Sequence, residues 1–390
     1  MPYHGPAAGR DVAAPILGTV IQHDVEPGFT SLGQATARTM ARNAARRGRL
    51  YRTLLVHGPP GAGKGAFVDD LLALLFCTAP VSERPCNACR GCRDARSRSH
   101  PDLVVGSPQL WREQRATGES IVAVARRWLL ESAGAPVAGE RRVVLVESAD
   151  RANEQAQNAL LKALEEPGPR QMFVLVADEP ARLLPTIRSR AQSLRVGPVP
   201  RAELVAWLVD RERLPADQAE ALARIADGLP GRAIGYARDH ARVEWRRRIQ
   251  AELLVLLERG RAERIASVRE LVDATSALVD ERSAPPVDPD GDAPRTSGAA
   301  QRQAALLVVD AWIGLNRDLL VAAADRPALA PAIQLVPEAA TVAARLRPAE
   351  LTAMAALLER IRDGLEQSAA PRLALEVAML AWPRVANAAP

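Results

Sequence analysis

One glycine-rich motif constrains the fold of this 390-residue chain more than any other feature. Residues 58–64 match the phosphate-loop (P-loop) pattern G-x-x-x-x-G-K, between an apolar run at 54–57 and a helical pattern at 66–76. In such a strand–loop–helix setting, backbone N–H groups cradle phosphates and the lysine reaches their outer oxygens. The candidate nucleotide-binding residues are Gly58, Pro59, Pro60, Gly61, Ala62, Gly63, Lys64 and Gly65.

The metal side of this loop lacks groups on which magnesium-dependent hydrolysis relies. The motif calls for Ser or Thr at position 65, whose hydroxyl binds Mg²⁺, and Gly65 has no side chain. An apolar strand at 142–146 is followed by Glu147 and Ser148, so a serine stands where a water-polarising carboxylate is expected. We therefore expect ATP or ADP to be held without efficient hydrolysis, and ATPase activity to be weak or absent.

The cysteines of the chain form one cluster. Cys77, Cys86, Cys89 and Cys92 are spaced C-x8-C-x2-C-x2-C, and the chain has no others. Four thiolates this close can surround one zinc ion in a closed, structural site. An iron–sulfur cluster, disulfides and free thiols are the alternatives. We favour structural Zn²⁺ in a polar, arginine-rich insertion, residues 77–92, with no catalytic role.

Apolar runs and helical patterns alternate in the first half of the chain, which predicts a parallel α/β sheet with helices on both faces. The predicted strands are 54–57, 142–146 and 172–177. After residue 200 the patterns are helical almost throughout, at 201–213, 215–227, 231–258, 261–282, 301–326 and in the C-terminal third. Residues 283–299 are rich in Pro, Asp and Gly and predict a mobile loop.

Composition excludes some classes of function. No apolar run is long enough to cross a membrane, and the N-terminus does not resemble a secretory signal, so we expect a cytoplasmic protein. Among the 51 basic residues only Lys64 and Lys162 are lysine, and the net charge is +5. This mild excess is compatible with contacts to DNA phosphates. Aromatic residues make up only 3% of the chain, which argues against base-stacking platforms.

Two further positions have both an ordinary and a functional interpretation. Arg190, in a segment that follows the third predicted strand, is either a surface charge or an arginine finger that stabilises a neighbour's transferring phosphate. Lys162 lies in the helical segment 158–167 and belongs either to a solvated face with local Lys–Glu pairs or to an interface with a partner or DNA.

Several features in this order resemble the bacterial clamp-loader family of AAA+ proteins, which serves DNA polymerase III. The resemblance is strong over about residues 30–200, thinner to 240, and topological beyond. It is carried by the P-loop, the four-cysteine insertion, Ser99-His100-Pro101-Asp102, Ala149-Asp150, Asn158–Pro167 and Thr186–Arg190.

The resemblance implies three domains: an AAA+ domain at 1–198, a helical lid at 199–240 and a helical collar at 241–390. It also implies a five-subunit ring with tau/gamma motor and delta subunits, which uses ATP at subunit interfaces to load the sliding clamp onto primed DNA. In that ring Arg190 maps onto an arginine given in trans to a motor subunit's ATP, and the four cysteines map onto a zinc module.

Departures from the family pattern point to its non-hydrolysing member. Ala191 stands where the family's Ser-Arg-Cys motif has cysteine, and Ala177-Asp178 lacks the polar Thr or Asn of active members. Arg232 is a weak candidate for the second sensor of the lid. The alternatives are an ATP-hydrolysing motor subunit of the tau/gamma type and a zinc-bearing DNA-binding protein that retained a P-loop shape.

Overall fold

The computed structural model describes residues 28–168, 170–283, 298–324, 330, 336–366 and 369–385. They fall into two compact units, the first ending at Glu203 and the second beginning at Leu204, inside helix α8 (Arg201–Arg211). The strands described in the first unit are β1 (Thr53–His57), β2 (Leu103–Gly106), β3 (Arg142–Val146), β4 (Gln171–Ala177) and β5 (Gln192–Arg195). Its helices are α1 (Ala35–Arg46), α2 (Lys64–Phe76), α3 (Arg90–Arg96), α4 (Pro108–Glu113), α5 (Ile121–Ser132), α6 (Glu154–Glu165) and α7 (Pro185–Arg188).

The strands form one parallel sheet in the order β2-β3-β4-β1-β5. β1 therefore lies between β4 and β5, with Leu55 opposite Leu175 and Ser193. In a parallel sheet the carboxyl ends of the strands meet at one edge, where ligands bind in open α/β folds. This topology brings together the P-loop after β1, Glu147 after β3 and Asp178 after β4.

The central strands are buried because helices cover the sheet. Val143, Val144, Leu145 and Val146 are fully buried, as a parallel sheet with two covered faces requires. One apolar cluster joins the sheet to α4, α5 and α6 and includes Trp111, Trp128, Leu160 and Phe173. Burying each such large side chain contributes about 1.5–3 kcal/mol, which makes the sheet a firm platform for the loops at its edge.

Two buried carboxylates anchor the segments around this platform. Asp70, on α2, accepts hydrogen bonds from the backbone N–H groups of Thr30 and Ser31 at 2.9 and 2.7 Å and pairs with Arg96 at 2.8 Å. Asp102, before β2, accepts from three successive backbone N–H groups of residues 137–139. The motif Ser99–Asp102 thus has a structural task in this fold.

The second unit is helical throughout its described residues. Beyond α8, its helices are α9 (Ala216–Ile225), α10 (Pro230–Arg238), α11 (His240–Leu257), α12 (Arg261–Ser283), α13 (Gly298–Ala323), α14 (Glu338–Ala343), α15 (Pro348–Glu366) and α16 (Pro371–Ala381). A large apolar cluster centred on Trp312 joins α11, α12, α13, α15 and α16. None of the helices in the described part of the chain has the length and apolar character that crossing a membrane requires.

The fold class predicted from the sequence is confirmed: a parallel sheet flanked by helices, followed by a helical C-terminal region. The single helix predicted at 231–258 is wrong, because Asp239 leaves the helical region (φ −140°, ψ 85°) and separates α10 from α11. The loop predicted at 283–299 is too long at both ends. Ser283 is the last residue of α12, and Gly298 and Ala299 are the first residues of α13. The N–H groups of a helix's first turn have no acceptor within the helix, so these residues can begin one. Residues 284–297 lie outside the described residues, and the lid and collar boundaries stay a prediction.

Candidate functional site: a P-loop with internal ion pairs

The P-loop has the backbone that a phosphate cradle needs. A β-carbon on Gly58 would lie 1.8 Å from the carbonyl oxygen of Val196, so only glycine fits where the loop leaves β1. Gly63 has φ +92°, a conformation that side-chain-bearing residues rarely adopt, and it caps the start of α2. The first N–H groups of a helix have no intrahelical acceptor, so the N-terminus of α2 can bind an anion.

The P-loop lysine is bound by groups of the chain itself. Lys64 is only 9% exposed, and its Nζ donates to the carbonyl oxygens of Gly58 and Pro59 at 2.6 and 2.9 Å. The same nitrogen lies 2.6 Å from a carboxylate oxygen of Asp178, the residue that follows β4. A phosphate approaching Lys64 would therefore have to displace a carboxylate that repels it.

A guanidinium occupies the metal side of the loop. Arg98 pairs with Asp69 of α2 at 2.9 Å and with Glu147, after β3, at 2.5 Å. One of its terminal nitrogens lies 3.9 Å from where a β-carbon on Gly65 would be. Burial raises the pKa of Asp69, and its hydrogen bond with Arg98 opposes that rise. Glu147 is thus engaged by a cation of the protein.

The acidic segment after β3 stabilises the sheet edge. Ser148 has φ +49°, and the short 3₁₀ turn Ala149–Arg151 follows it. Asp150 is buried and accepts from the backbone N–H groups of Asp178 and Glu179 at 3.0 and 2.9 Å. Burial raises the pKa of Asp150. This carboxylate holds the turn that carries Asp178 beside Lys64, which makes Asp150 a positioning residue.

The two halves of the P-loop site differ in the ligands that they can bind. The glycine backbone and the N-terminus of α2 fit a phosphate group. The metal half does not fit Mg²⁺, because Gly65 supplies no hydroxyl and Glu147 is paired with Arg98. No hydrolytic step through Mg²⁺ can be derived from these residues.

The cysteine cluster suits one tetrahedral ion. The ligand atoms of Cys77, Cys86, Cys89 and Cys92 all lie within 4.8 Å of one another. The sulfurs of Cys77 and Cys89 are 3.9 Å apart, close to the spacing of about 3.8 Å that tetrahedral Zn–S bonds of about 2.3 Å give. All four cysteines are free, and this separation is far beyond a disulfide bond of about 2.05 Å. The geometry therefore fits the zinc predicted from the sequence and disfavours the disulfide alternative.

Backbone N–H groups donate to three of the four sulfurs, while burial raises the pKa of Cys77 and Cys92. The N–H groups of Cys86, Cys89 and Cys92 each donate, at 3.4 Å, to the sulfur of the preceding cysteine. Burial raises the pKa of Cys89, but hydrogen bonds from Thr78 and Cys92 outweigh it and lower that pKa to about 6. Thiolate is the form that binds a metal. The cluster lies at the far end of α2 from Lys64, about 20 Å along a 13-residue helix.

Arg190 lies at the surface, immediately after α7. Its guanidinium pairs with Glu165, the last residue of α6, at 2.8 Å and donates to the carbonyl oxygen of Thr186 at 3.1 Å. The side chains of Arg190 and Glu165 are 40% and 46% exposed, so the pair is accessible and weak. Lys162 is exposed on the same helix. The ion pair thus brings exposed charged residues of 158–167 and 186–190 to one surface, and their role at an interface stays a prediction.

The sequence predicts the P-loop, the cysteines and Arg190 as site residues, and the structure adds two residues beside the P-loop that were not predicted, Asp178 and Arg98. Asp178 was noted only as a departure from the family pattern, although an acid directly after β4 must lie at the edge that carries the P-loop. Arg98 gave no signal, because it stands in an arginine-rich segment and reaches the site through tertiary folding alone.

In the second unit, Arg232 pairs with Asp227 at 2.9 Å.

The parallel sheet, the P-loop after β1 and the acid after β3 define a P-loop nucleoside-triphosphatase fold of the AAA+ class. Residues 33–200 match the family model described as "DNA polymerase III, delta subunit". The resemblance to the bacterial clamp-loader family is thereby confirmed over these residues, and the curated relatives confirm the resemblance to the delta-prime subunit.

Curated relatives agree with the family model. The chain is 34% identical to "DNA polymerase III subunit delta'" of Escherichia coli K12 over 48% of its own length and 54% of that protein. It is 35% identical to the Pseudomonas aeruginosa delta' subunit over 44% of its length and 50% of that protein. It is also 30% identical to the tau subunit of E. coli K12, over 41% of its length and 24% of that protein. The matches to the delta' subunits span about half of those proteins.

Proposed function

We propose that this chain is the delta-prime subunit of a bacterial DNA polymerase III clamp loader, a cytoplasmic AAA+ subunit that does not hydrolyse ATP. It joins tau/gamma motor subunits and a delta subunit in a five-subunit ring, loads the sliding clamp onto primed DNA during replication, and contacts DNA through its phosphates. The observation that carries this proposal is a contrast within the first unit. Lys64 is bound by the chain's own Asp178, whereas Arg190 lies at the surface.

The chemistry of this subunit then lies in a neighbour's site. A guanidinium presented in trans stabilises the charge that develops on a transferring phosphate, because its planar fork donates two hydrogen bonds at once. Arg190 meets the requirement of access, since its partner Glu165 is half-exposed and the pair is easily exchanged. Exchanging Glu165 for a more negative phosphate is electrostatically favourable for the guanidinium of Arg190.

Zinc has a structural task in this proposal. Cys77, Cys86, Cys89 and Cys92 hold one Zn²⁺, and four protein ligands leave no open coordination position for catalysis. The ion fixes α3 against α2, where a β-carbon on Gly91 would lie 2.1 Å from the carbonyl oxygen of Phe76. This close packing positions Arg96, which pairs with the buried Asp70.

Reconstitution tests the proposed place in the machine. The chain is expected to co-purify with tau/gamma and delta subunits, and the rate of clamp loading onto primed DNA is expected to collapse when it is left out. The measurement is loading of a fluorescently labelled clamp on primed circular DNA. Full loading without this chain, or failure of the chain to join the ring, would contradict the proposal.

The isolated chain is expected to turn over ATP at least about 10²-fold more slowly than a motor subunit, because both the hydroxyl at 65 and the acid at 148 are missing. Gly65→Ser alone is expected to leave this rate unchanged, since Ser148 still lacks a carboxylate. Phosphate release from the purified chain is the measurement, with a tau/gamma subunit as the positive control. Motor-like turnover would favour the alternative, an ATP-hydrolysing subunit of the tau/gamma type, to which the match with tau subunits gives some support.

A further inference from the structure

The position of Arg98 gives the P-loop a property that the proposed function does not require. In a hydrolysing P-loop site, Mg²⁺ lies between the hydroxyl that follows the lysine and the acid at the end of another core strand. The corresponding residues here are Gly65 and Glu147. The cation that lies between them is the guanidinium of Arg98, 2.5 Å from Glu147 and 3.9 Å from the β-carbon position of Gly65.

We propose that Arg98 takes the place of Mg²⁺ in this P-loop as a fixed cation, so that divalent cations are excluded from the site whether or not a nucleotide is bound. This inference concerns the chain's own P-loop and holds independently of its place in a clamp loader.

Gly65 fits this role because it places no metal-binding hydroxyl beside Arg98. The residue is the second of α2, and it is not among the glycines with positive φ, so its backbone does not require glycine. A β-carbon there would meet only a terminal nitrogen of Arg98, at ordinary contact distance. Neither the turn of the loop nor the packing of Arg98 therefore requires glycine at this position, and what the missing side chain removes is a hydroxyl ligand for a metal.

Arg98 is placed by the end of α3. Its φ is +55° because it takes the left-handed conformation that closes a helix: its N–H donates to the carbonyl oxygen of Ala95, and the N–H of Ser99 donates to that of Asp94. Here two carboxylates hold the guanidinium: Asp69 on α2 and Glu147 after β3.

These contacts reproduce the connection that a metal would make. Mg²⁺ in a hydrolysing site links the P-loop helix to the core strand that carries the acid, and Arg98 links α2 to the end of β3 through side chains alone. Arginine suits this task better than lysine, because its rigid fork can serve two carboxylates at once while retaining its charge. The carboxylate that would approach the metal, that of Glu147, is thereby paired with a cation of the chain itself.

The test compares ADP affinity with and without Mn²⁺ in full-length chains, using calorimetry for ADP and electron paramagnetic resonance for bound Mn²⁺. In the wild type and in Gly65→Ser, we expect Mn²⁺ to change ADP affinity less than about twofold and no protein-bound Mn²⁺ signal. In the double variant Gly65→Ser/Arg98→Ala, which restores the hydroxyl and removes the cation, we expect Mn²⁺ to tighten ADP binding about tenfold or more.

Controls separate this role from a loss of structure. Gly65→Ser/Arg127→Ala removes instead an arginine paired with Glu119 on the surface and is expected to behave like Gly65→Ser. Circular dichroism checks that each variant folds. Bound Mn²⁺ in the wild type, metal-dependent binding in Gly65→Ser alone, or no gain in a folded double variant would each overturn the inference. If the double variant does not fold, the wild type and Gly65→Ser still decide it.

Discussion

Replacing Cys86 and Cys89 by serine is expected to lower the free energy of unfolding of the first unit by about 3 kcal/mol or more, which corresponds to about 10 °C in its unfolding midpoint. Structural zinc contributes about 10–16 kcal/mol in small zinc domains that depend on it for folding. The effect is smaller here because the sheet has its own apolar core. The loss arises where α3 packs on α2 and where Arg96 reaches Asp70.

Elemental analysis and thermal unfolding of the full-length chain measure this effect. The wild type is expected to hold one zinc per chain and to lose stability on treatment with a zinc chelator, whereas the double serine variant holds none. Ser82→Ala, an exposed change within the same insertion, is the matched control and should leave both values unchanged. Iron in place of zinc, or no metal in freshly reduced protein together with unchanged stability, would contradict the assignment.

Arg190→Ala is expected to slow ATP hydrolysis at the neighbouring site that it completes by about 10³-fold or more, the range in which arginine fingers act. The DNA-stimulated ATP turnover of the whole assembly should fall by the fraction that this one site contributes to it. Arg190→Lys is expected to recover little, because an ammonium cannot donate in the fixed fork of a guanidinium. Assembly itself should persist, since the fold around α7 does not depend on a surface ion pair.

Two matched variants make this prediction specific. Arg188→Ala removes another exposed arginine two residues away and is expected to leave turnover unchanged. Glu165→Gln removes the carboxylate that holds Arg190 in the isolated chain and is also expected to preserve turnover, because the arginine remains free to reach the phosphate. Equal losses in Arg188→Ala and Arg190→Ala would show a general effect of surface charge.

The sequence predicted the parts of the fold that have a strong local signal. β3 and β4 are continuous apolar runs because both their faces are covered, and they were found within one residue. β2 and β5 were missed: they lie at the edges of the sheet, β2 is four residues long, and β5 (Gln192–Arg195) is mostly polar. β5 therefore lacks the apolar pattern of a central strand, whereas β2 is apolar (Leu103–Gly106) but too short to give a clear signal.

The site divides in the same way. The P-loop and the cysteine spacing are local patterns whose chemistry follows from residue type and separation. The pairings Lys64–Asp178 and Arg98–Glu147 join residues 114 and 49 positions apart, at the edge that the strand order creates. These pairings could not be predicted without the order of the strands. Because of them, this P-loop differs from that of a hydrolysing ATPase in its ion pairs as well as in its missing hydroxyl.

The most direct measurement compares Lys64→Ala with Arg190→Ala, each assembled with tau/gamma, delta and the clamp, in DNA-stimulated ATP turnover and clamp loading. The central claim is that this chain acts on its neighbour's nucleotide and not on its own. It predicts that Lys64→Ala leaves turnover unchanged within about twofold, while Arg190→Ala abolishes hydrolysis at the neighbouring site and impairs loading. Loss of turnover in Lys64→Ala with full activity in Arg190→Ala would contradict the claim.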